Sequence, residues 1–257
     1  MELLSGTHVQ TWLDEMKNKK NGKPTDAGTK QRKLSDIRPY WKYLPSHDHV
    51  SVDRNPFENR VINNGFTDVE EQERERLAYT VKEVPMLWQR AEAESDDILS
   101  DVIKLAAYSG MRLGEIMNLT AKSLVKEGDV PSITITGAKR KSRAARRTFP
   151  IHSAIADIVE RLAKAAGDGF LIQSAAERRE AAMSKRFTRL KSRMGYDEHH
   201  VFHSLRHTVI ELFRNADCPL EIRNRIVGHE DGKERANTGA GYGGMAGLSK
   251  QESWNGF

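Results

Sequence analysis

Phe202-His-Ser-Leu-Arg-His207 leads into an apolar run through Val209, Ile210, Leu212 and Phe213, and the reading of this stretch decides the fold. The apolar spacing is helical rather than alternating, so the sequence predicts a helix over 203–215. On such a helix His203, Arg206 and His207 stand three and four residues apart and share one face. Arginine brings a planar fork of donors that never deprotonates, and an imidazole can take or give a proton near neutral pH. Together they suit an anion that must be held while chemistry is done on it.

Working outward, Gly228-His229 follows, and then Tyr242 inside Gly239-Ala-Gly-Tyr-Gly-Gly244. Upstream stand Ser109-Gly-Met-Arg112-Leu-Gly-Glu115 and the basic run Lys139-Arg-Lys-Ser-Arg-Ala-Ala-Arg-Arg147. The order Arg112, basic turn, His203-x-x-Arg206, His229, Tyr242 resembles the tyrosine recombinase (phage integrase) family over residues 105–245. Each motif alone is weak; five in this order are specific.

The resemblance implies a small helical core-binding domain followed by an integrase-type catalytic domain. It implies a site-specific recombinase that cuts and rejoins duplex DNA through a 3′-phosphotyrosyl intermediate. Tyr242 would be the nucleophile, and it is the only tyrosine after Tyr196. Arg112 and Arg206 would clamp the scissile phosphate, with Glu115 fixing the first guanidinium. His203 would accept the phenol proton, His229 would donate to the phosphate, and His207 would support them. Lys141 would protonate the departing 5′ oxygen, with Lys139 in reserve. Because the covalent link keeps the energy of the phosphodiester, neither ATP, a metal nor another cofactor is expected. Further DNA contacts are expected from Arg140, Arg143, Arg146 and Arg147 of the basic turn, and from Lys30, Arg32 and Lys33 near the start. The expected assembly is a tetramer on synapsed sites, with C-terminal tails exchanged between protomers.

Composition agrees without deciding. Net charge is +5 over 257 residues, but residues 1–65 carry 11 basic against 8 acidic side chains, and 66–101 carry 4 against 11. Residues 102–257 carry 26 against 17, so the positive excess sits with the motifs, as a polyanion-binding surface requires. One cysteine, Cys218, excludes an internal disulfide and fits a reducing compartment. No apolar run reaches membrane-spanning length and Met1-Glu-Leu-Leu does not open a signal peptide. A cytoplasmic, nucleoid-associated location follows as the expectation.

In chain order, Val9, Trp12, Leu13 and Met16 form one stripe of a helix over 7–20. A second helix starts near Thr25 or Thr29, and Pro39 should kink or split it. The expected division is 1–65 helical core-binding domain, 66–79 acidic linker, 80–257 catalytic domain with tail. Thr80-Val-Lys-Glu83 is a capping box at the first helix of that domain. Helices are expected at 97–109, closed by Gly110, and at 153–166, 183–194, 203–215 and 219–227. Ser132–Thr136 alternates as a strand, and Thr148–Ile151 is its hairpin partner across the basic turn. The fold class is mainly α with a small antiparallel β-sheet.

Two other readings compete. A DNA-binding relative that no longer cuts, acting as a regulator, would not need Tyr242 and His203 together. A zinc-dependent hydrolase could draw on His199, His200, His203 and His207, but the spacing lacks a glutamate and Arg206 would oppose the cation. A type IB topoisomerase shares the chemistry and differs from a recombinase only by resemblance.

Overall fold

The computed structural model describes residues 4–18, 22, 24–44, 55–62, 76–136 and 146–228. The chain divides into two units, Met1–Arg74 and Glu75–Phe257, at a point inside the expected linker.

In the first unit, α1 (Gly6–Asp14) starts from a reciprocal cap: His8 N donates to Ser5 Oγ, and Ser5 N donates to His8 Nδ1. Asp26 caps α2 (Ala27–Tyr43) by accepting from Thr29 N at 2.9 Å. Val9, Leu13, Met16, Leu34 and Phe57 make the core, with Trp41 edge-on to Phe57. Two expectations change here and a third, at Pro39, loses one of its two outcomes. The first helix stops at Asp14, after which Lys17 bridges to Pro24. Trp12 is 39% exposed and lies off the buried stripe. Helix α2 runs through Pro39 unsplit.

In the second unit the Thr80–Glu83 box forms as expected, with Thr80 N on Glu83 Oε2 at 2.7 Å and Glu83 N on Thr80 Oγ1 at 3.3 Å. It opens α3 (Glu83–Ala93), which packs on α4 (Asp97–Ser109). Helix α4 is the centre of the unit. Leu99, Val102, Ile103, Leu105 and Ala106 are all buried, each large side chain worth about 1.5–3 kcal/mol of burial. Gly110 ends it with φ +64°, a conformation that costs glycine nothing. Next come α5 (Leu113–Met117), a 3₁₀ turn (Ala121–Ser123), and a sheet of β1 (Leu124–Glu127), β2 (Val130–Ile135) and β3 (Arg147–Pro150).

The sheet is antiparallel in the order β1-β2-β3, with Leu124 opposite Ile133 and Ile135 opposite Arg147. Its expected hairpin is present, and β1 is an additional strand that the sequence pattern did not announce. Glu127 lies opposite Val130, and Gly128 supplies the positive φ that so tight a turn needs. Four helices complete the unit: α6 (Ser153–Ala166), α7 (Arg179–Arg193), α8 (Phe202–Asn215) and α9 (Leu220–Val227). Helix α7 begins four residues before its expected start, because Arg179–Ala182 show no apolar period to betray them. The chain is mainly α with a small antiparallel sheet.

Candidate active site

The site grows from two helix ends. At the C-terminus of α4 the left-handed Gly110 turns the chain so that Arg112 becomes the first, capping residue of α5. Glu115, one turn on, accepts from Arg112 N and from Arg112 Nη1, both at 2.9 Å. The same carboxylate accepts from Arg147 Nη2 at 2.8 Å and from Nη1 at 3.2 Å. Burial pushes the Glu115 carboxyl up, but the hydrogen bonds and charge of Arg147, with those of Arg112, overcome it and hold it at about 2. Glu115 is therefore ionised throughout the neutral range, a buried anion between two guanidinium groups.

The second helix end is that of α9, closed by Gly228 at φ +72°. Helix C-termini leave carbonyls without partners inside the helix. Here two arginines from other elements take them: Arg147 Nε donates to Ile226 O at 2.7 Å, and Arg206 Nη2 donates to Val227 O. Arg206 Nη1 also donates to Gly110 O at 2.7 Å. Arg206 thus joins the ends of α4 and α9, and it is only 1% exposed. A side chain at position 228 would meet Arg147 Nη1 at 2.6 Å, so glycine is required there by space as well as by φ.

Helix α8 carries the expected trio, at three different depths. His203 is exposed, His207 half-buried and Arg206 buried. The two imidazoles meet edge to face, with ring centroids 5.0 Å apart. Burial, then the charges of Arg206 and Arg214, lower His207 below its ordinary 6.5, so it is neutral at physiological pH. Arg112 and His203 both line one open cavity of about 910 Å³, with Phe170, Arg178, Glu180 and Ser184 on its other walls. Arg179 caps that wall, its guanidinium carbon 3.8 Å from the Phe170 ring centroid. The arrangement can hold an anion at Arg112 within reach of an exposed imidazole.

Two expected DNA contacts are corrected. Arg147 is not part of an exposed turn: it is 7% exposed and spent on Glu115 and Ile226. Lys30 is 2% exposed on the inner face of α2, four residues before buried Leu34. In both cases the periodicity carried the signal. Arg147 lies two residues before buried Phe149 on a strand, and Lys30 shares a helical stripe with Leu34, so charge misled where position was informative. Arg32, Lys33 and Arg146 are exposed. Lys139, Arg140, Lys141, Arg143, His229 and Tyr242 lie outside the described residues.

The histidines considered for zinc do not converge. His200 turns away to Asp197 Oδ1 at 3.1 Å and packs on Tyr79 and Tyr196. Among the described residues no group of three or more His, Cys, Asp or Glu side chains is placed to hold a metal ion. The Arg147–Glu115 pair and the cavity wall from α7 are the features that sequence reasoning missed.

Residues 75–237, well over half of the chain, match the phage integrase family. Among solved structures the chain is similar to a lambda integrase dimer bound to a COC′ core site, at TM-score 0.67 and 16% identity over 97% of this chain and 68% of that one. It is similar to a lambda integrase tetramer bound to a Holliday junction, at TM-score 0.63 and 17% identity over 91% of this chain and 66% of that one. It is also similar to the Tn1549 transposon integrase (residues 82–397) in complex with circular intermediate DNA, at TM-score 0.67 and 16% identity over 94% and 81%. At such identities the structures speak for the fold. A comparison with curated protein sequences returns no match.

Proposed function

The chain belongs to the phage integrase family, the tyrosine recombinases, and from that premise we propose how its own residues divide the work of a site-specific DNA strand transferase. Tyr242 attacks the scissile phosphorus while His203 takes the phenol proton. The bond to the 5′ oxygen breaks, and that oxygen leaves as a hydroxyl with a proton from Lys141, or from Lys139 if the turn is set two residues back. A 3′-phosphotyrosyl link remains, and attack by another 5′ hydroxyl reverses each step, so no net energy is needed. Arg112 neutralises the charge that builds on the phosphorane and His229 donates to the same phosphate. Arg206, expected as the second half of the clamp, is 1% exposed with both terminal nitrogens on main-chain carbonyls and contributes its charge from inside the protein. His207, neutral at physiological pH, packs against His203 and sets its ring.

The observation that carries this reading is the shared cavity of Arg112 and His203, with Arg112 braced by Glu115. The other tyrosines of the unit support Tyr242 by default. Burial raises the phenols of Tyr79, Tyr108 and Tyr196, the last to about 12, which makes each a poor nucleophile. The partner is duplex DNA, held in part by Lys139, Arg140, Arg143 and Arg146 and by Arg32 and Lys33. Four protomers on synapsed sites, exchanging tails, make the working assembly. No helix among the described residues is long and apolar enough to cross a membrane. The place of work is the cytoplasm, on the chromosome.

The decisive experiment is incubation with nicked duplex carrying target DNA, in EDTA, followed by a denaturing gel. Wild type yields a covalent protein–DNA adduct, and Tyr242→Phe yields none while binding duplex as before. An adduct that survives in Tyr242→Phe moves the nucleophile elsewhere; binding without any adduct favours a regulator; cleavage restored only by zinc favours a hydrolase.

A further inference from the structure

Arg147 comes from the strand that ends the basic turn, yet none of its reach is directed at solvent. Its two terminal nitrogens meet both oxygens of Glu115, and its Nε meets the carbonyl of Ile226. Those partners belong to different parts of the site. Glu115 is the brace of Arg112. Ile226 lies in the last turn of α9, two residues before Gly228, after which the chain enters the segment of His229. A Cβ at position 228 would fall 2.6 Å from Arg147 Nη1, so the residue that ends α9 also lies beside this guanidinium.

Building on the recombinase reading, we infer that Arg147 is a positioning residue that sets Arg112 through Glu115 and registers the Arg112 loop against the end of α9. A planar guanidinium is the one side chain with three donor directions fixed at once, so a single residue can hold a carboxylate and a carbonyl in a set relation. Glu115 in turn faces Arg112 with one oxygen on its main-chain N–H and the other on its Nη1, which leaves that side chain little freedom. Arg147 opens β3, so one buried cation ties three described elements together: that strand, the Arg112 loop and the end of α9. Lysine at 147 would keep the charge but offer a point instead of a fork. It could satisfy Glu115 or Ile226 and not hold both in register.

The test compares wild type with Arg147→Lys on nicked duplex, measuring the dissociation constant and the rate of adduct formation at saturating DNA. The expected result is a dissociation constant close to wild type and a rate about 10²-fold lower, the usual cost of a misplaced catalytic group. A second substrate carries an uncharged methylphosphonate at the scissile position and has less charge for Arg112 to neutralise. On it the deficit of Arg147→Lys should shrink to a few-fold, as should that of Arg112→Ala, which loss of folding alone would not produce. Should Arg147→Lys not fold, the pair Arg147→Met with Glu115→Gln removes both charges from the pocket and should show the same pattern. An unchanged rate, a rate loss matched by weaker binding, or a deficit equal on both substrates would overturn the inference. Absence of any adduct from wild type would sink the recombinase reading itself, and this inference with it.

Discussion

Two carboxylates of the second unit are buried against arginine, and they are held in different ways. Asp101, on α4, is clipped by Arg161 of α6 at 2.7 and 2.8 Å, but the arginine side chain is 59% exposed. Glu115 is gripped by Arg147, 3% exposed, and by Arg112, 24% exposed. The first pair fastens one helix to another and ends in water. The second joins a strand, a loop and the end of a helix, with nothing but protein around its inner member. A buried charge is expensive to keep unless its geometry is complete, and at Glu115 and Arg147 both members of the pair are sunk where several site segments meet.

That contrast can be broken at its strong side first. Arg147→Met should lower unfolding free energy by about 3–5 kcal/mol, because Glu115 and the Ile226 carbonyl lose their partner together. Urea titration with cleavage measured in parallel checks it; a loss near that of a surface arginine would mean the pocket admits water freely. Acid offers a second handle. Glu115 sits at about 2 when folded against an ordinary 4.5. Its stabilisation is complete above pH 4.5 and is lost as pH falls through that value toward 2. Stability of wild type should therefore drop more steeply over that window than that of Glu115→Gln, and parallel curves would show that Glu115 is not the group being protonated. The weak side should respond least. Arg161→Ala should cost about 1 kcal/mol or less, shrink further in high salt and leave the adduct rate untouched. A large, salt-insensitive loss there would erase the distinction between the two pairs.

Much of the scaffold was written locally. The Thr80–Glu83 box, Gly110 at the end of α4 and the apolar period of 153–166 each depend on neighbours within a turn or two, and each is found where the residues place it. Strand β1 escaped notice because Leu124–Glu127 is mostly exposed and has no alternation to read. The charged residues divided in the same manner. Arg112 with Glu115 was legible as an i, i+3 pair on one short helix. Arg147 with Glu115 was not, since 32 residues of chain separate them and only the return of β3 beside α5 brings them together. The sequence by itself determined the family, the order of the motifs and the helices that carry them, because local periodicity and capping act over a few residues. Only the tertiary structure decided that Arg206 and Arg147 turn inward to hold the ends of α4 and α9 while His203 faces the cavity, because burial and long-range partners settle which charges stay in water.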